Sequence, residues 1–204
     1  MTDSPIRIAV LVSGGGTNLQ ALIDAQRDGR LHSGEIALVV SNKPEVYALQ
    51  RAAGAGIEAL TLTRAGCGGQ EGFEKRLTEL LEERRIELIV LAGYLSILSE
   101  DFTLRWSKRI INIHPSLIPS FCGKGYYGLR VHEAALNYGV KVTGATVHYV
   151  NEIPDGGQIL LQKAVSVLPG DTPELLQRRV MEQAEWQILP EATELVCAGL
   201  RSKS

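Results

Sequence analysis

Ile6-Arg7-Ile8-Ala9-Val10-Leu11-Val12-Ser13-Gly14-Gly15-Gly16-Thr17-Asn18 decides the fold class. The apolar run from Ile6 to Val12 is that of a strand buried on both faces, as in parallel sheets. Ser13 and the glycines break it, and Leu19, Leu22 and Ile23 then recur at helical spacing. The same alternation continues outward. Ile36 to Val40 predicts a second strand ending at Ser41-Asn42, and Pro44 suits the first turn of a helix carrying Val46, Leu49 and Ala53. Ile57 to Leu62 predicts a third strand. Phe73, Leu77, Leu80 and Leu81 line one helix face, which the solvated run Glu82-Glu83-Arg84-Arg85 ends. Ile86 to Leu91 and Arg109 to Ile113 supply a fourth and a fifth strand. Strands separated by helices imply right-handed crossovers and a parallel sheet covered on both faces.

The second half changes style. Val142 to Val150 and Gln158 to Val167 are rich in β-branched residues and flank Asn151-Glu152-Ile153-Pro154-Asp155-Gly156-Gly157, so they read as a hairpin or as neighbouring strands. Asp171-Thr172-Pro173-Glu174 starts a last helix, with a capping residue and an early proline, that runs through Trp186 and is kinked or ended near Pro190. The expectation is one doubly wound α/β domain over residues 1–204, mostly parallel with an antiparallel C-terminal portion.

Composition fits this reading. The 204 residues are 45% hydrophobic and 22% charged, as in ordinary globular domains. A formal net charge of -2 gives no basic excess for nucleic acid. The longest apolar stretch, Leu88 to Leu98, is interrupted by Gly93, Tyr94 and Ser96 and is too short to span a bilayer. Met1 to Pro5 leaves no room for a signal peptide before the first strand. Cys67, Cys122 and Cys197 are scattered, with no spacing that suggests zinc, so a reduced cytoplasmic protein without a bound metal is expected. Cys122, among glycines, lacks the neighbours of an activated thiol.

The glycine loop lets the backbone approach a ligand and aims free helix amides at an anion. A Walker A loop needs a lysine that is missing, and a dinucleotide fingerprint needs a glycine where Leu19 stands and an acid where Ser41-Asn42 stands. A monophosphate cradle using Thr17 and Asn18 fits, as does a tight turn without a ligand. Asn112-Ile113-His114-Pro115-Ser116 closes the fifth strand, at the edge where open α/β sheets bind ligands. Two residues apart on a strand, Asn112 and His114 share a face. An amide NH2 and an imidazolium both donate, which suits an oxyanion developing on a carbonyl. A charged His114 needs an anion nearby, for which Asp155 is a candidate, although the local sequence by itself favours a simple turn aspartate. His148 reads as a hydrogen-bonded strand histidine and His132 as part of a helix start.

Ser13-Gly-Gly-Gly-Thr-Asn18, Leu91-Ala-Gly-Tyr94 through Ile97-Leu98, Asn112-Ile-His-Pro-Ser-Leu117 and Asp155-Gly-Gly157 occur in that order. With them the chain resembles, over nearly its whole length, the phosphoribosylglycinamide formyltransferase family of folate-dependent enzymes. The resemblance implies formyl transfer from 10-formyltetrahydrofolate to glycinamide ribonucleotide in purine biosynthesis. It implies a phosphate-binding half (1–110), a catalytic and folate-binding half (111–204), and a monomer or homodimer acting on small molecules, with no nucleic acid, membrane or metal. By the same resemblance Asn112 and His114 stabilise the tetrahedral intermediate, while Asp155 raises the pKa of His114 and relays protons. Gly16, Thr17, Asn18 and Glu185 bind the ribonucleotide. Gln70, Leu95, Ser96, Ile97, Leu98, Asn112, Asn151, Glu152, Ile153, Pro154 and Asp155 match the folate site. Rival readings are a formyltransferase for another amine, such as a nucleotide-linked amino sugar, and a non-catalytic phosphoribosyl binder.

The chain departs from the family in three places. Leu95-Ser96-Ile97-Leu98 stands where many relatives have Met-Arg-Ile-Leu, Gln70 replaces a basic residue, and Phe121-Cys-Gly-Lys-Gly-Tyr-Tyr-Gly128 replaces a shorter proline-containing loop. The folate's glutamate tail is then expected to be held weakly, or by another cation such as Lys124.

Overall fold

The computed structural model describes residues 4–203. Seven strands, β1 (Ile6–Val12), β2 (Gly34–Ser41), β3 (Glu58–Thr61), β4 (Leu88–Leu91), β5 (Ile110–His114), β6 (Val142–Tyr149) and β7 (Ile159–Ser166), form one sheet in the order β3-β2-β1-β4-β5-β6-β7. β1 to β5 run parallel, and β6 pairs antiparallel with β5 and with β7. The expected mixed α/β sheet is present, with its antiparallel part at the C-terminal end. The expectation of no leader at Met1 to Asp3 lies outside the described residues.

Strand order reverses at β1, with β2 on one side and β4 on the other. The segments leaving β1 and β4 part there and open a crevice at the carboxyl edge of the sheet.

Side-chain alternation assigns the two faces. Ile6, Ile8, Val10 and Val12 of β1 pack with α1 (Thr17–Arg27), α2 (Tyr47–Gly54), α5 (Leu129–Tyr138), α6 (Pro173–Val180) and α7 (Trp186–Arg201). Ala9 and Leu11 face the opposite layer, which holds α3 (Gln70–Glu83) and α4 (Glu100–Arg105). Phe73, Leu77 and Leu81 of α3 are nearly or wholly buried there, as their spacing predicts.

Three local expectations are corrected. Pro44 lies in a turn before α2, whose buried residues are Ala48 and Ala52 instead of the expected face through Leu49 and Ala53. The cause is Gly16, where φ is +73° and a Cβ would lie 2.6 Å from Ala48 Cβ. Only an alanine-sized face fits so close to the glycine loop. The last helix does not end at Pro190, which is buried inside α7; the irregularity is a π-helical turn, Met181–Glu185, between α6 and α7. Pro190 has no N–H to return to the carbonyl of Trp186, which sits at the start of α7, directly after the widened turn. Arg84 is more than a solvated end residue, since it grips Glu58 at 2.6 Å while its carbonyl accepts from Arg7 Nε at 2.6 Å. Packing of the α3 end against the sheet explains both bonds.

Candidate active site

A cavity of about 400 Å³ opens at this carboxyl edge. β5 and β6 bring its polar centre together. Ile110, Asn112 and His114 share one strand face, and Ile110 belongs to the α3/α4 layer. In the antiparallel ladder Asn112 pairs with His148 and His114 with Thr146. Directly opposed residues project to the same side, so Asn112, His114, Thr146 and His148 form one polar patch past the end of the apolar layer. Ala145 and Val147, the alternate residues of β6, stay in the other core.

Asn112 Nδ2 lies 3.2 Å from His148 Nε2, and His148 Nδ1 lies 2.8 Å from the Tyr149 carbonyl. A carbonyl only accepts, so His148 carries its proton on Nδ1 and receives the Asn112 amide at Nε2. One Asn112 hydrogen is thereby committed and its amide plane set. His148 is a hydrogen-bonded strand histidine, as expected, and the β6 register adds what the expectation lacked by placing it in the polar centre opposite Asn112. Sequence parity was the available signal, since Thr146 and His148 alternate with Ala145 and Val147.

Asp155 reaches the same patch from the loop between β6 and β7. Its Oδ2 lies 3.5 Å from His114 Nδ1, and its Oδ1 lies 3.6 Å from His148 Nε2. Gly123 N–H donates to Oδ2 at 2.8 Å. Asp155 has φ +57°, which aspartate tolerates better than most residues. The chain then passes so close to β6 that a Cβ on Gly157 would lie 1.7 Å from the Tyr149 carbonyl oxygen. Burial pushes the Asp155 carboxyl up, but His148 and His114 in their protonated forms, together with the Gly123 amide, outweigh it and hold it below its ordinary value.

Asp155 raises the His114 pKa as expected, but the net shift is downward. Burial dominates and lowers it, although Asp155 and the Phe121 carbonyl pull the other way. His114 is only 4% exposed, so desolvation of the cation exceeds the benefit of a carboxylate 3.5 Å away. Nε2 lies 2.9 Å from the Phe121 carbonyl, which fixes the proton of the neutral ring there and leaves Nδ1 as an acceptor.

Asn18 and Glu185 also line this cavity and are bonded through Asn18 Nδ2 to Glu185 Oε2 at 2.7 Å. Burial pushes the Glu185 carboxyl up to about 7 against the opposing bond from Asn18. Glu185 ends the π turn and is buried. At the start of α1 the first intrahelical bond runs from Gln20 N–H to Gly16 O, and no side chain caps the end. Its first-turn amides are available to an anion. Thr17 contacts Met181 Sδ weakly at 3.9 Å and, with Gln20, Arg51 and Trp186, lines a neighbouring groove rather than the main cavity.

Leu95 to Leu98 and Asn151 to Asp155 line the main cavity. Leu95, Ile97 and Ile153 are exposed apolar side chains at its rim. Ser96 Oγ accepts from Asn42 Nδ2 at 2.7 Å, and Leu95 N–H donates to Ser13 Oγ at 2.9 Å. Gln70 is not a lining residue. It braces the segment from behind, donating to the Ile97 carbonyl at 3.3 Å, beside Arg64, which donates there at 2.6 Å. Lys124 lines the cavity and is exposed. Cys122 donates to the Pro119 carbonyl at 3.3 Å, and burial followed by Asp155 pushes its thiol up, the opposite of activation. The lining thus draws on both halves of the chain. Among the described residues no group of His, Cys, Asp and Glu is arranged to hold a metal ion, and no helix is long and apolar enough to cross a membrane.

The Formyl transferase family pattern matches residues 6–193. Phosphoribosylglycinamide formyltransferase of Haemophilus influenzae is 42% identical over 184 residues, covering 90% of this chain and 84% of that protein. The trifunctional purine biosynthetic protein adenosine-3 of Homo sapiens is 45% identical over 193 residues, or 95% of this chain. The chain spans only 14 to 19% of the length of such trifunctional proteins. The crystal structure of glycinamide ribonucleotide transformylase 1 from Symbiobacterium toebii superposes with a TM-score of 0.89 at 44% identity, covering 96% of this chain and 89% of that one.

Proposed function

The chain belongs to the formyl transferase family, and from that premise we propose that it transfers the formyl group of 10-formyltetrahydrofolate to the amine of glycinamide ribonucleotide in purine biosynthesis. The carrying observation is that Asn112, His114 and Asp155 meet in one cavity that Asn18 and Glu185 also line. The substrate's amine is itself the nucleophile, so the site needs no activated Ser or Cys, in keeping with the raised Cys122 thiol. The protein's tasks are to align two substrates, stabilise an oxyanion and move a proton.

Asn112 has one amide hydrogen committed to His148 and offers the other to the oxygen of the formyl group as the new C–N bond forms. His114, neutral at rest with its lone pair on Nδ1, accepts the proton released by the attacking amine. Asp155 stabilises the resulting imidazolium. The same proton then leaves with the folate nitrogen as the old C–N bond breaks, which returns His114 to neutrality. Proton exchange at Nδ1 fits the hydrogen bonds better than direct oxyanion donation from His114, because Nε2 is already engaged by Phe121. The uncapped start of α1 takes the phosphate, through the amides near Gly16, Thr17 and Asn18, and Glu185 takes ribose hydroxyls. Leu95, Ile97 and Leu98 face the pterin, with Asn151 to Pro154 opposite them.

An absorbance assay of 10-formyltetrahydrofolate, with and without glycinamide ribonucleotide, tests this. Consumption that depends on the ribonucleotide is expected. Equal consumption without it would identify a hydrolase, and binding without turnover a phosphoribosyl-binding protein.

A further inference from the structure

We propose that His132 is a positioning residue for the amine-bearing ribonucleotide, hydrogen-bonding it through a ring nitrogen inside the cavity. The inference rests on the formyl transfer proposed above and deepens it. His132 is 0% exposed yet lines the cavity, and neither ring nitrogen has a partner among the described residues. A buried imidazole with two orphaned nitrogens is costly, and native structures keep few such groups without a purpose. The other buried histidines are bonded, His114 to the Phe121 carbonyl and His148 to the Tyr149 carbonyl. Among the described buried histidines the orphaning is particular to His132, and it is the residue of the cavity lining with two unpartnered side-chain atoms.

Its surroundings indicate which group it bonds. α5, which carries His132, packs against α6, and Gln177 of α6 and Met181 and Glu185 of the π turn line the same cavity. That part of the lining is the one proposed for the ribonucleotide; the pterin wall comes from the segments after β4 and β6. Burial, reinforced by His114, pushes the ring down to about 4, so it is uncharged near neutral pH. A neutral imidazole offers one donor and one acceptor and is poorly matched to a phosphate dianion. Its partner is an uncharged polar group, either a ribose hydroxyl or the glycinamide amide.

Initial rates of the full chain, with each substrate varied in turn, test this in His132→Phe and His132→Gln. His132→Phe should raise KM for glycinamide ribonucleotide by about tenfold and leave KM for 10-formyltetrahydrofolate within about twofold, without lowering Tm. His132→Gln keeps a donor and an acceptor and should restore the ribonucleotide KM to within about threefold. If His132→Phe does not fold, His132→Leu carries the same expectation. A folded apolar variant with an unchanged ribonucleotide KM, or with both KM values raised alike, overturns the inference and leaves the formyl transfer standing. A wild-type protein without ribonucleotide-dependent turnover overturns both.

Discussion

His114 Nδ1 stands 3.5 Å from Asp155 Oδ2 while His114 Nε2 donates to the Phe121 carbonyl at 2.9 Å. The carbonyl settles which nitrogen carries the proton of the neutral ring, and the carboxylate faces the other. A lone pair opposite a carboxylate gains nothing; a proton at Nδ1 turns that approach into a charge-assisted contact. The resting pair is therefore arranged to receive one proton.

Replacing Asp155 with Asn should lower kcat by about 10²- to 10⁴-fold, the usual range for loss of assistance to proton transfer. Asp155 favours the imidazolium, so its removal lowers the His114 pKa further. The acidic limb of the kcat/KM pH profile should then move to lower pH. A limb that stays in place would show that His114 does not govern it.

Asn112→Ala removes an amide held by His148 and proposed to donate to the developing oxyanion. The expected loss in kcat is about 10²- to 10³-fold, with KM for either substrate little changed. Steady-state kinetics on a variant of unchanged Tm decides it, and a pure KM effect would contradict the assigned role.

Gly16→Ala places a side chain at φ +73° and 2.6 Å from Ala48 Cβ. Backbone strain alone costs about 1–3 kcal/mol, and the clash with Ala48 adds to it. Gly14→Ala, whose Cβ meets nothing within 4 Å, is the control and should leave the denaturation midpoint nearly unchanged. Equal midpoints for the two variants would remove the steric argument.

Glu185 links stability to pH. Burial pushes its carboxyl up to about 7 in the folded chain, against the ordinary 4.5. Between those values the unfolded chain has lost the proton that the folded chain keeps, so this group's contribution falls as pH rises through the window. Glu185→Gln should match the wild type near pH 4 and exceed it by up to about 3 kcal/mol near pH 8. Urea unfolding at the two pH values measures the difference. A gap that does not widen with pH would mean the buried carboxyl is charged throughout.

Ser96→Arg introduces the arginine that the family resemblance leads us to expect at this position. It should lower KM for 10-formyltetrahydrofolate by placing a cation near the folate's glutamate tail. The variant loses the bond from Asn42 Nδ2 to Ser96 Oγ, at a cost of about 1 kcal/mol in stability. Lys124→Ala should raise the same KM if that exposed lysine now meets the tail. An unchanged KM in both variants would show that neither position contacts the tail.

The strand run Ile6 to Val12, the glycine break and the helical spacing of Leu19 and Leu22 were enough for a parallel α/β unit, because each pattern lies within a window that backbone geometry alone interprets. Parity likewise put Asn112 and His114 on one face. The helix face over Ala48 and Ala52 was illegible, since it depends on the approach of Gly16 from a different element. The π turn at Met181–Glu185 was hidden for a related reason: its sequence continues an ordinary helical pattern, and the wide bond from Trp186 N–H to the Met181 carbonyl that marks it is a feature of the folded backbone.

Local order along the chain thus determined the elements, the mixed sheet and a set of polar residues at strand ends, because side-chain periods of two and of 3.6 are fixed by the polypeptide itself. Tertiary structure alone decided that His148 stands opposite Asn112, that burial overrides Asp155 in setting the His114 proton, and that His132 is closed into the cavity without a partner. Ladder register and desolvation are sums over residues distant in sequence, and no short window contains them.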